Sequence, residues 1–228
     1  MQETKHRSFR IPAQGTRARA LLRWAAALIF IGLWSLAVGI VSLKLGAVNY
    51  GTELFDSYFR YTGLFLLNIL PGLLIALLFF AITGRVWPAV LSSGLIITLL
   101  SLINHFKLLF RDDPLLASDA VYFTEAAQIS SRYNVSITPG MVLCFIAIAA
   151  ATVFAALCLK ARLRRALPRV GLGLLVIAAG AALYLGAYTS DSVYDFTNNL
   201  GVEFANGYKM NQWNETDQYC CRGCMYPL

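Results

Sequence analysis

The sequence predicts an all-α, polytopic membrane protein with five transmembrane helices and an interfacial amphipathic helix after the third. Three observations lead there. Apolar residues make up 58% of the 228-residue chain and charged residues only 14%. The mean hydropathy is +0.61, well above that of a soluble domain of this length. The apolar residues gather into five runs, each close to the roughly 20 residues that cross a hydrocarbon layer of about 30 Å. Finally, the basic residues behind the net charge of +7 cluster at the flanks of these runs. That pattern follows membrane topology and gives no reason to expect nucleic-acid binding.

Residues 1–23 carry Lys5, Arg7, Arg10, Arg17, Arg19 and Arg23 against a single acid, Glu3, which is the composition of a cytoplasmic basic flank. Hydrophobicity begins abruptly at Trp24. The run to Val41 outlasts a signal-peptide core and no small-x-small site follows before Lys44, so an uncleaved signal anchor is expected rather than a leader. The first span is placed at 24–43.

A polar link with Asn49, Gly51, Glu53, Asp56 and Arg60 leads to the second span, 61–83. This span holds Asn68, Pro71 and Gly72. Proline lacks a donor and crowds the carbonyl four residues earlier, that of Leu67, so a kink is expected. Asn68 is expected to fill part of the broken ladder or to bond across helices. The short turn Gly84, Arg85, Trp87-Pro88 then returns the third span, 87–103, beside the second.

Asn104 to Asp119 (NHFKLLFRDDPLLASD) is a polar, charge-dense interruption of the greasy chain. Ser118 or Asp119 is expected to cap a helix reaching about Tyr133, with Tyr122, Ala126, Ile129 and Tyr133 on one face. It is too polar to span, so the segment 104–139 is placed in the membrane interface. Pro139-Gly140 precedes the fourth span, 141–159, whose alanines suit close packing in a bundle. A second basic cluster, Lys160 to Arg169, precedes the fifth span, 170–188, which carries Gly171, Gly173, Gly180 and Gly186. The transmembrane domain thus occupies 24–189, and 190–228 is a polar tail.

The orientation follows from charge. With the amino terminus inside, the inner segments contain twelve of the 19 Lys and Arg and one of the 12 acids. That asymmetry predicts a cytoplasmic amino terminus and an extracytoplasmic carboxyl terminus.

None of the five expected spans contains Asp, Glu, Lys, Arg or His. Intramembrane charge costs about 2.5 to 3.5 kcal/mol and persists mainly along ion pathways, so its absence speaks against a proton-coupled carrier. His6 and His105 fall on opposite sides, and no metal ligand or catalytic residue is assigned. Cys144 and Cys158 read as small buried hydrophobes. Cys220, Cys221 and Cys224 form an odd set, read either as one disulfide plus a third thiol or as an incomplete metal site. The residues left for docking a lipid headgroup or a partner are Lys107, Arg111, Asp112, Asp113 and Asp119, crowded at one interface. Taken singly, the cations read as snorkelling side chains, Asp112-Asp113-Pro114 as a turn and Asp119 as a cap.

Asn104, Lys107, Arg111, Pro114, Leu115, Ser118 and Asp119, in that order, resemble the segment after the third membrane helix in the lipoteichoic acid synthase and phosphoglycerol transferase family. Asn199 and Asn206-Gly207-Tyr208 are similar to the segment linking that family's last membrane helix to its catalytic domain. The resemblance implies a bacterial cytoplasmic membrane location and phosphatidylglycerol as the lipid partner. It also implies a sulfatase-like domain that moves glycerol phosphate to a cell-envelope acceptor with a threonine nucleophile and a divalent metal such as manganese. The sequence ends at Leu228 without counterparts of that nucleophile or metal set. The expectation is a membrane domain that is catalytically inactive and cofactor-free by itself, truncated or acting with a separate catalytic chain. A non-enzymatic membrane scaffold or regulator that keeps the fold is the alternative.

Overall fold

A computed structural model describes residues 14–49, 51–111, 113–116, 119, 136–190, 192–194 and 215–223. The helices are α1 (Gln14–Gly46), α2 (Gly51–Arg60), α3 (Thr62–Thr83), α4 (Val86–Arg111), α5 (Pro139–Cys158), α6 (Ala166–Leu183) and α7 (Glu215–Arg222). A π-helical turn, Tyr184–Tyr188, extends α6. No strand occurs among the described residues, only an isolated bridge between Arg85 and Arg162. Among the described residues five helices are long and apolar enough to cross a membrane: Leu21–Gly46, Thr62–Thr83, Val86–Arg111, Pro139–Cys158 and Ala166–Tyr188. The chain is a multi-pass helical membrane protein.

The spans alternate in direction, so the bundle has two distinct ends. One, the basic end, gathers the start of α1, the α3–α4 turn and the connection from α5 to α6. Trp24 near the start of α1 lies edge-on to Phe80 near the end of α3, with ring centroids 6.0 Å apart. The other, the Asn104 end, gathers the end of α1, α2 and the end of α4.

Helices α1, α3 and α4 form the packed centre. Helix α4 touches α1, α3 and α5, and α3 touches α1, α4 and α6. In lipid the apolar exterior gives no drive for helix association, so small residues and interhelical hydrogen bonds must supply it. Both are present. A side chain at Gly94 would come within 2.7 Å of Trp34, and one at Gly39 within 2.9 Å of Ile69. The Trp34 indole donates to the Val90 carbonyl at 3.0 Å, and Ser101 donates to Ser42 across α4 and α1 at 2.7 Å.

Several boundaries differ from the sequence reading. Helix α4 runs eight residues past 103, so Asn104, His105, Lys107 and Arg111 stand on its last two turns. The charges of Lys107 and Arg111 sit at a helix end, where long side chains can carry their heads toward water while the backbone stays helical. The polar link after the first span is itself helical. Leu54, Ser57 and Tyr58 are buried on one face of α2, while Glu53, Asp56 and Arg60 are exposed. The three-to-four spacing of those residues carried an amphipathic signal that polarity obscured.

The alanine-rich α5 and the glycine-bearing α6 do not lie at the centre. Only 17% of the apolar window of α5 and 6% of that of α6 is buried, and Gly171 and Gly186 face open space. Small residues permit close contact without compelling it. The expected interfacial helix to Tyr133 lies outside the described residues.

Candidate functional site

The polar residues of the Asn104 end form one connected structure. The last carbonyls of α1 have no donors within the helix, and they are met from elsewhere. His105 Nδ1 lies 2.9 Å from the Leu45 carbonyl, an arrangement that requires the proton on Nδ1 because a carbonyl only accepts. The Tyr219 hydroxyl donates to the Gly46 carbonyl at 3.0 Å. Asn49 donates to the Leu108 carbonyl at 2.7 Å, joining the end of α1 to α4.

Asn104 is the hub. Its Oδ1 accepts the Leu115 N–H at 2.8 Å, and its Nδ2 donates to the Tyr219 hydroxyl at 3.0 Å. One amide therefore fixes both the turn after α4 and the distant helix α7. Being 8% exposed, it keeps these bonds in a medium where a lost partner is costly.

Lys107 closes the turn. Its ammonium donates to the Pro114 carbonyl and to Asp119 Oδ2, each at 2.7 Å, and lies 2.8 Å from Asp113 Oδ2. These three acceptors match its three N–H donors, and its side chain is 12% exposed. Asp119 Oδ2 also accepts the Leu116 N–H. Burial pushes the Asp119 carboxyl up, but the hydrogen bonds from Lys107 and Leu116 and the charges of Lys107 and Arg111 outweigh it and hold the group below its usual range. The described bonds of Asp119 run back to Lys107 and Leu116 and close the turn; the residues its expected helix cap would meet lie outside the described ones.

Of the expected docking residues, Lys107, Asp113 and Asp119 meet in this cluster. Arg111 stands on the final residue of α4 with its side chain exposed. Asp112 and Ser118 lie outside the described residues. Lys107 is therefore chiefly a clamp on the turn, and Arg111 is the cation that faces outward.

Helix α7 inserts against the same end of the bundle. Tyr219, Cys220, Cys221 and Arg222 are buried. Asn68 donates to the Leu64 carbonyl at 2.9 Å and to the Arg222 carbonyl at 3.0 Å. Arg222 donates to the Tyr188 carbonyl at 3.0 Å and lies 5.0 Å from the Tyr194 ring centroid. Gly223 has φ +70, and a side chain there would meet Asn68 at 2.7 Å. No disulfide joins the described cysteines, and Cys224 lies outside them. Part of the polar tail, Glu215–Arg222, is thus a packed element of the bundle. Sequence reasoning missed Tyr219, Arg222 and the hub role of Asn104 because their partners lie up to 173 residues away, beyond any local period.

Comparison with protein-family models, curated proteins and solved structures finds no match. Among the described residues no three His, Cys, Asp or Glu side chains converge as a metal site.

Proposed function

We propose that this chain is the membrane-embedded domain of a phosphoglycerol transferase of the lipoteichoic acid synthase kind, which presents phosphatidylglycerol to a sulfatase-like catalytic domain. The observation that carries this reading is the Asn104 network. Asn104, Lys107, Pro114, Leu115 and Asp119 carry the resemblance to that family, and here they bond to one another. That gives a physical reason for those residues to occur together in that order. The network holds Arg111 exposed at the interface, where weaker screening strengthens a charge-assisted bond to a phosphodiester.

The residues of this network bind and position; none is assigned to bond breaking. The threonine nucleophile and a divalent metal such as manganese belong to the catalytic domain that the resemblance implies. The distribution of Lys and Arg supports an orientation with the amino terminus inside and the Asn104 end outside, and the resemblance implies a bacterial cytoplasmic membrane. A non-enzymatic scaffold is the second reading, favoured by the saturation of Lys107 within its own chain.

Phosphatidylglycerol co-purified with the protein in one detergent distinguishes them. Arg111→Gln should lower the bound lipid by about fivefold with insertion intact, since the residue sits at a helix end and contributes one charge-assisted contact. An unchanged ratio overturns the headgroup role and leaves the scaffold.

A further inference from the structure

At the basic end, two connections from different hairpins are fastened together. Leu163 donates its N–H to the Gly84 carbonyl at 2.9 Å, and Arg85 and Arg162 face each other in an antiparallel bridge. Gly84 makes this approach possible. It adopts φ +67, and a side chain there would lie 2.5 Å from the Leu163 carbonyl oxygen. Arg169, at the start of α6, donates its Nε to the Ala81 carbonyl at 3.0 Å, which fixes that guanidinium over the end of α3.

The result is a cavity of about 200 Å³ lined by Thr83, Arg85, Arg162, Arg164 and Arg169. Among the described residues none of these four guanidiniums makes an ion pair. Two helices start and two end near this rim, so their macrodipoles largely cancel and the field is set by the arginines. Arg85, Arg162 and Arg164 are exposed, so the cavity opens to solvent, and four like charges gathered at its rim repel one another and lower their energy by binding an anion.

Topology alone asks only for positive charge near span ends. It does not ask that two loops be bridged so that arginines from both line one cavity, or that one guanidinium be anchored to a helix carbonyl. Planar guanidinium forks match phosphate oxygens two at a time, and the volume is below that of a drug-sized pocket. We propose that this cavity binds a phosphate-bearing anion through Arg85, Arg162, Arg164 and Arg169. The source is either a lipid headgroup or a soluble phosphate, and the site stands independently of the one at the Asn104 end.

The test uses the full chain purified in dodecyl maltoside. Inorganic phosphate is titrated in one arm with thermal unfolding as the readout, and in the other the micelles are doped with phosphatidic acid and bound lipid is counted by native mass spectrometry. Saturable protection by inorganic phosphate identifies a soluble ligand, and binding of phosphatidic acid alone identifies a headgroup. The combined variant Arg85→Lys, Arg162→Lys and Arg169→Lys keeps every charge that orients the chain yet loses the forks, so binding should weaken about tenfold. Arg165→Lys, exposed in the same connection but outside the cavity lining, should bind as the parent does. If the combined variant misfolds, Arg164→Lys alone, at an exposed position, should still weaken binding about threefold. Absence of binding in both arms, or binding untouched by the lysine replacements, overturns the site and leaves the arginines a purely topological role.

Discussion

Tyr188 donates its hydroxyl to the Leu67 carbonyl at 2.8 Å, and Leu67 is the acceptor that Pro71 deprives of its own helical donor. The proline and the tyrosine of the π turn are thus two halves of one arrangement, 121 residues apart in the chain for the bonded pair. Helix α3 continues unbroken from Thr62 to Thr83. With no water in the hydrocarbon layer, a carbonyl so orphaned must find a partner within the protein.

Tyr188→Phe should therefore destabilise the bundle by about 0.6 to 1.5 kcal/mol. Pro71→Ala restores an N–H for Leu67, so the same change in that background should cost markedly less. Unfolding of the four proteins in mixed micelles measures the coupling. An equal cost in both backgrounds would contradict the pairing.

Lys107 and Arg111 should separate by experiment although they sit one helical turn apart. Lys107→Gln leaves the Asp113 and Asp119 carboxylates without their cation and should lower stability by roughly 1 to 2 kcal/mol. Arg111→Gln, at an exposed position, should change stability by no more than about 0.5 kcal/mol. Equal losses would mean that the clamp is not centred on Lys107.

Asp119 gives the Asn104 end a sensitivity to acid. Its carboxyl is held below the ordinary value of 3.8, so it binds protons less readily folded than unfolded. The stabilisation is full above that ordinary value and is lost as pH falls through the lowered one. Asp119→Asn should flatten this part of the stability profile while lowering stability at neutral pH by roughly 1 kcal/mol. Unfolding midpoints across the acid range test it, and an unaltered profile would remove Asp119 from the clamp.

The docking of α7 is open to chemical probing. A side chain at Gly46 would run into the Tyr219 hydroxyl, so Gly46→Leu should displace α7 and expose Cys220 and Cys221, both 0% exposed in the parent. Maleimide labelling of these thiols, in proteins whose other cysteines are replaced by alanine, should accelerate at least about tenfold as the local unit opens. Identical labelling rates would show that α7 is not held by this contact.

The sequence by itself determined the fold class and most of the span positions. Runs of apolar residues are local and cumulative, and one helical rise per residue converts their length into a crossing. It also identified Leu67 as the carbonyl orphaned by Pro71, because that clash is set by backbone geometry alone. It placed Lys107, Asp113 and Asp119 in one neighbourhood because they lie within a dozen positions of one another.

Only the tertiary structure decided how these parts are joined. Tyr188 reaches Leu67, Tyr219 reaches Asn104 and Gly46, and Asn68 holds the backbone of Arg222. The basic cavity likewise exists because Gly84 admits Leu163. Each is a single directional contact between residues remote in the chain, with no period to announce it. Apolar patterning specifies which residues avoid water, whereas hydrogen bonds and close approaches depend on helix rotation and depth, which are fixed only when the whole bundle packs.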